Sequence, residues 1–261
     1  MSDRARPRIY FLHGLLATSY AHFGEQLVRW RESHDVVPID LPGHGRSRLD
    51  AAAPYYARCE ALLRRYLDER GPGHVLGVSY LGATVALRTT LADPTGVQSL
   101  VLSGYVPNAP HAVVTRWTHS FHLLAERDPE LVRHYERVHG PRWRQTLDCV
   151  LAEIRESYPA SVAVSDAQLA ELAVPTLVLN GSYKSDERET AARLPSLGPQ
   201  IEAGILPGAG HIPSHDQPEL FSGIVEAFWA RLQQSSVARP RIRDLVPRDE
   251  VADARAPGGL R

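Results

Sequence analysis

Short apolar runs recur along the chain at Arg8–His13, Val36–Leu41, His74–Ser79, Val97–Ser103, Pro175–Asn180 and Ile201–Leu206. Between most of them, apolar residues return at helical intervals instead. Phe23, Leu27 and Trp30 follow the first run, Ala61, Leu62, Tyr66 and Leu67 precede the third, and Phe221, Ile224, Val225 and Phe228 follow the last. Strand and helix in alternation predict an α/β fold: a mainly parallel, six-stranded sheet with helices on both faces, the helical stripes forming its core contacts.

The interval between residues 103 and 175 breaks that alternation. It holds Val113, Val114, Trp117 and Phe121, then Leu131, Val132 and Tyr135, then Leu147, Val150, Leu151 and Ile154, divided by Asp128-Pro129 and Gly140-Pro141. Helical spacing between such breakers predicts an inserted helical lid over the carboxyl edge of the sheet. The expected organisation is a core at 1–106 and 174–233, a lid at 107–173 and a mobile C-terminal tail at 234–261. That tail is rich in Arg, Pro, Asp and Gly and has no apolar period. Four lid aromatics, Trp117, Phe121, Trp143 and Tyr158, are the candidates for contact with a substrate.

Composition narrows the function more than the fold. The net charge is −1, which leaves no electrostatic footprint for nucleic acid, and no segment has the apolar length of a membrane span. The first residues are charged and lead straight into a strand-like run, without the apolar stretch of a secretory signal. The cytoplasm and a small-molecule substrate are therefore the expectation. The two cysteines, Cys59 and Cys149, fall in predicted helices and are expected reduced.

Chemistry concentrates in three motifs. In Val75-Leu76-Gly77-Val78-Ser79-Tyr80-Leu81-Gly82 a strand stops at a glycine-flanked serine and a helical pattern begins at once. A serine there is a nucleophile on a sharp strand-to-helix turn. Leu12-His13-Gly14-Leu15 follows an earlier strand, and Gly208-Ala209-Gly210-His211 the last. A serine hydroxyl must be aimed and deprotonated to attack, and His211 is the candidate base, imidazole being suited to accept that proton and return it. A helix-capping serine and a histidine in a glycine-rich turn would explain each residue singly, but not the set.

In the order of these motifs, from Arg8 to Gln233, the chain resembles the α/β-hydrolase superfamily, in its capped serine-hydrolase form. Asp40-Leu41-Pro42-Gly43-His44-Gly45-Arg46-Ser47 also resembles a loop common in capped members. The resemblance implies a Ser79–His211 pair, with an oxyanion hole formed by the backbone N–H groups of Leu15 and Tyr80. It implies no cofactor, and twelve histidines without a matching carboxylate or cysteine pattern do not read as a metal site.

Two positions depart from the family pattern. Leu81 stands where these turns usually have glycine, so it should point outward or widen the turn. In Leu179-Asn180-Gly181-Ser182-Tyr183-Lys184 the only lysine of the chain takes the place of the usual acid. A cation there cannot accept the histidine N–H. Asp186, in preference to Glu187, is the carboxylate expected to complete the triad, although Ser185-Asp186-Glu187 also reads as a helix start.

Three function classes follow. The first is hydrolysis of a small, moderately apolar ester, lactone or thioester through an acyl-serine. The second is a non-hydrolytic enzyme on the same scaffold, such as a cyclase, acyltransferase or lyase, in small-molecule biosynthesis. The third is a small-molecule binding protein without turnover.

Overall fold

The structure, a computed structural model, describes residues 6–235. Six strands form one sheet: β1 (Arg8–Leu12), β2 (Asp35–Ile39), β3 (Gly73–Val78), β4 (Val97–Ser103), β5 (Thr176–Gly181) and β6 (Ile201–Leu206). Their order is β2-β1-β3-β4-β5-β6 and every pairing is parallel. β3 and β5 are buried at every position, as strands covered by helices on both faces must be. The sheet predicted from the apolar runs is thus the sheet observed.

Helices α1 (Ser19–Trp30), α2 (Tyr55–Arg70) and α3 (Ser79–Ala92) connect the first four strands. Between β4 and β5 lie α4 (His111–Arg127), α5 (Pro129–His139), α6 (Trp143–Ser157) and the short α7 (Asp166–Ala170). The breakers have the expected effects. Asp128 caps α5 by accepting from Glu130 and Leu131 N–H ahead of Pro129, and Gly140, at φ 70°, ends it. α8 (Ser185–Arg193), α9 (Pro213–Asp216) and α10 (Pro218–Ser235) complete the described chain. The chain divides after Val225 into two compact units, the second beginning at Glu226 within α10. The insertion therefore shares one compact unit with the sheet. Apart from Gln234 and Ser235, the expected tail lies outside the described residues.

The two cysteines are free, Cys59 buried in α2 and Cys149 half-buried in α6, and burial pushes the Cys59 thiol up. Among the described residues no helix is long and apolar enough to cross a membrane.

α6 is fastened to the core by polar contacts that the apolar pattern does not reveal. The buried Glu153 carboxylate accepts from the N–H groups of Tyr55 and Tyr56, at the start of α2. Thr146 donates to Gly43 O at 3.2 Å, and Arg142, just before α6, donates to Gly45 O and Ser47 O.

Candidate active site

Parallel strands put all their carboxyl ends on one edge. The chain leaves β1 toward one side of the sheet and resumes at β3 on the other, so a crevice opens there. Ser79 follows β3 at that crevice. It is the first residue of α3 and has φ 59°, a left-handed conformation that costs a non-glycine residue on the order of 1–3 kcal/mol. Close packing enforces it. A Cβ on Gly77 would lie 2.5 Å from Gly82 O, and one on Gly82 would lie 2.6 Å from His13 O. These two glycines let α3 start directly against β1 and β3. Leu81 does not point outward: it is buried and lines the cavity.

Ser79 Oγ lies 2.9 Å from His211 Nε2, and His211 Nδ1 lies 2.6 Å from Glu187 Oε1. A carboxylate only accepts, so Nδ1 carries the ring proton and Nε2 is left to accept from the serine hydroxyl. The imidazole is 43% exposed, the carboxylate 5%. Glu187 replaces the expected Asp186. Lys184 immediately precedes α8, makes no capping bond with its side chain and is exposed. Glu187, in the first turn of α8, meets the imidazole, whereas Asp186 and Lys184 line the cavity beside it. Asp186 Oδ1 instead accepts Glu187 N–H at 3.0 Å.

The Asn180 side chain fixes this loop. It accepts from Tyr105 N–H and donates to Tyr105 O and Glu187 O, tying the ends of β4 and β5 to α8. Glu187 also lies in the first turn of α8, where the helix dipole favours an anion. Its Oε2 is buried without a hydrogen-bond partner among the described residues.

The loop after β1 is held by histidines. His13 Nε2 accepts from Leu41 N–H at 2.9 Å, and His44 Nε2 accepts from Leu16 N–H at 3.0 Å. Both rings must be neutral to accept. Burial lowers the His13 pKa to about 4 and pushes His44 well below its ordinary value. Leu16 sits at φ 49°, and Leu15 lines the cavity beside Ser79 and Tyr80. The N–H groups at the start of α3 are free of intrahelical partners, which suits the position after Ser79 to an oxyanion.

These residues open onto a cavity of about 490 Å³. Trp117, Phe121, Val114 and Leu124 of α4, with Val150, Leu151 and Ile154 of α6, give it a largely apolar wall. Trp117 stands edge-on to Tyr80, with ring centroids 6.2 Å apart. Two of the four expected aromatics are not part of that wall. Trp143 is buried against Tyr135, centroids 5.2 Å apart. Tyr158 stacks on His111 and donates to Ala109 O. Trp143 opens α6 and packs within the insertion, and Tyr158 follows the end of α6 in extended backbone.

His22, in α1, also lines the cavity and has no signal in the sequence pattern. Among the described residues no group of three or more His, Cys, Asp or Glu is arranged to hold a metal ion.

The sequence model of the alpha/beta hydrolase family matches residues 9–224. The chain belongs to that family. It is an enzyme of this fold. Over 218 residues, 73% of this chain and 82% of its relative, it is 24% identical to a pimeloyl-[acyl-carrier protein] methyl ester esterase of Nitrosospira multiformis. A match of 116 residues, 37% of this chain, is 31% identical to the dihydrolipoyllysine-residue acetyltransferase component of the acetoin cleaving system of Cupriavidus necator and spans only 29% of that protein. Among solved structures, NosK from Streptomyces actuosus is 41% identical, with TM-score 0.85 over 87% of this chain and 99% of that one. MenH from S. aureus, at 21% identity and TM-score 0.69 over 88% and 96% of the two chains, shares the fold.

Proposed function

We propose that the protein is a serine hydrolase that cleaves a small, moderately apolar carboxylic ester, lactone or thioester through an acyl-Ser79 intermediate. The observation behind this reading is the continuous hydrogen-bonded chain from Ser79 Oγ through His211 to Glu187. Ser79 attacks the carbonyl carbon as its proton passes to His211 Nε2. The resulting imidazolium is stabilised by the Glu187 carboxylate, and the negative charge on the carbonyl oxygen is met by the N–H groups of Leu15 and Tyr80. His211 then gives its proton to the leaving oxygen or sulfur. Water enters and is deprotonated by the same nitrogen, and the acid is released with Ser79 restored.

In this proposal α4 and α6 act as a lid, and Trp117 and Phe121 contact the acyl group. The apolar wall supports an acyl chain without charge, and the esterase relative supports ester cleavage. The substrate is a small molecule and the setting the cytoplasm.

A fluorophosphonate probe and a series of p-nitrophenyl acyl esters test the reading. Covalent labelling and acid release are expected from the parent and from neither Ser79→Ala nor His211→Ala. A parent that is not labelled and releases no acid overturns it.

A second reading hands the acyl group from Ser79 to an acceptor other than water. The similarity to an acetyltransferase component favours it over part of the chain. Acyl product formed with an added thiol or amine, in place of free acid, would distinguish it.

A further inference from the structure

His22 enters the site from α1, the helix after the Gly14–Leu15 loop. The helix is interrupted at the next residue, Phe23, with φ −131° and ψ 20°, so its first turn is aimed separately from the rest. His22 Nδ1 accepts the Gly14 N–H at 3.1 Å. That bond fixes the tautomer: the ring proton is on Nε2. Among the described residues no acceptor takes it.

The imidazole borders the reacting groups. A Cβ placed on Gly14 would lie 3.0 Å from both His22 Cε1 and Ser79 Oγ, so the ring and the nucleophile flank the same glycine. The backbone of His22 is tied to the His211 loop. Ser214, three residues after His211, donates its hydroxyl to His22 O at 2.8 Å, and Ile212 lines the cavity with His22. Burial first, then the neighbouring imidazoles of His13, His211 and His215, lower the His22 pKa to about 3. The ring is thus a neutral donor at any working pH.

A group between the oxyanion loop and the general acid faces the part of the substrate that departs, because His211 must reach the leaving atom to protonate it. We propose that His22 is a specificity residue for the leaving half of the substrate, donating a hydrogen bond from Nε2 to an oxygen acceptor there. The substrate class narrows accordingly to esters or thioesters whose alcohol or thiol portion carries a carbonyl, ether or hydroxyl oxygen close to the scissile bond. This rests on the acyl-Ser79 reading.

Butanoate esters of methoxyethanol and of n-butanol have the same shape and differ by one ether oxygen. The parent is expected to favour the methoxyethyl ester in kcat/KM by about fivefold, the usual size of one net hydrogen bond. In His22→Asn, Oδ1 can still accept the Gly14 N–H but nothing reaches the place of Nε2, so the ratio should fall to about one. In His22→Gln the longer amide reaches that place and the preference should return. A residue that only held the loop would change both esters by the same factor. Equal rates in the parent, or a preference that survives in His22→Asn, overturn the proposal. The parent ratio and His22→Gln decide it alone if His22→Asn does not fold. If the parent cleaves neither ester and Ser79 takes no fluorophosphonate, the acyl-serine reading falls first and this inference with it.

Discussion

Glu187 meets His211 at 2.6 Å from the first turn of α8, three residues beyond Lys184. The acid is displaced along a helix, and the extra methylene of glutamate over aspartate lengthens its reach. Glu187→Gln keeps the shape and removes the charge that, in the proposed mechanism, stabilises the imidazolium. Turnover is expected to fall by about 10³–10⁴, the scale of loss when the orienting carboxylate of a serine protease is neutralised. Asp186→Asn should change it far less. Steady-state kinetics on both variants, with circular dichroism to establish folding, check this; comparable losses in the two would remove Glu187 from its role.

Gly104 supports the histidine from the end of β4. It has φ 57°, and a Cβ there would collide with His211 O. Gly104→Ala must therefore shift the loop that carries the imidazole. We expect a loss of activity at least tenfold larger than the fall in folded fraction accounts for, since a displacement near 1 Å costs about 10²-fold in rate. Labelling rate and urea unfolding of one preparation separate the two effects.

Glu153 joins α6 to the start of α2 through two backbone N–H groups. Glu153→Ala leaves both donors buried without a partner and opens a cavity. A destabilisation of about 1–3 kcal/mol is expected, read as a lower urea midpoint with an unchanged slope. An unchanged midpoint would mean that water replaces the carboxylate.

Stability should begin to fall with acid above the pH range in which ordinary carboxylates titrate. Burial lowers the His13 and His74 pKa values to about 4 and that of His22 to about 3, whereas in the unfolded chain each titrates near 6.5. Between those limits the unfolded state binds more protons, so stability rises with pH. It is fully present above about 6.5 and is lost as pH falls toward 4 and then 3. Thermal midpoints should decline across that window. His74→Gln, which removes a buried ring bonded to Ser99 Oγ at 2.8 Å, should flatten the decline. A midpoint independent of pH from about 7 to 4 would contradict the assignment.

Signals carried within a few residues were legible in the chain alone. The six strands lie within a residue or two of the apolar runs, because burial on both faces, complete in β3 and β5, needs apolar side chains throughout. The turn at Ser79 is written in Gly77 and Gly82, which only their missing side chains make possible. The insertion is marked by Asp128-Pro129 and Gly140-Pro141. What the sequence left open depends on which way a side chain faces after the chain has folded. Lys184 lies just before α8, while Asp186 and Glu187 are neighbours in its first turn, their side chains about 100° apart; only the path of the loop held by Asn180 turns Glu187 toward His211. Trp117 and Phe121 reach the cavity while Trp143 and Tyr158 do not, although all four are aromatics of the insertion. His22 acquires its place from the Gly14 amide and the His211 loop, contacts that span distant parts of the chain and leave no periodicity behind. The sequence by itself determined the sheet and the strand-to-helix turn at Ser79; tertiary packing decided which carboxylate meets His211 and which side chains wall the cavity, because orientation is set by long-range contacts and not by spacing.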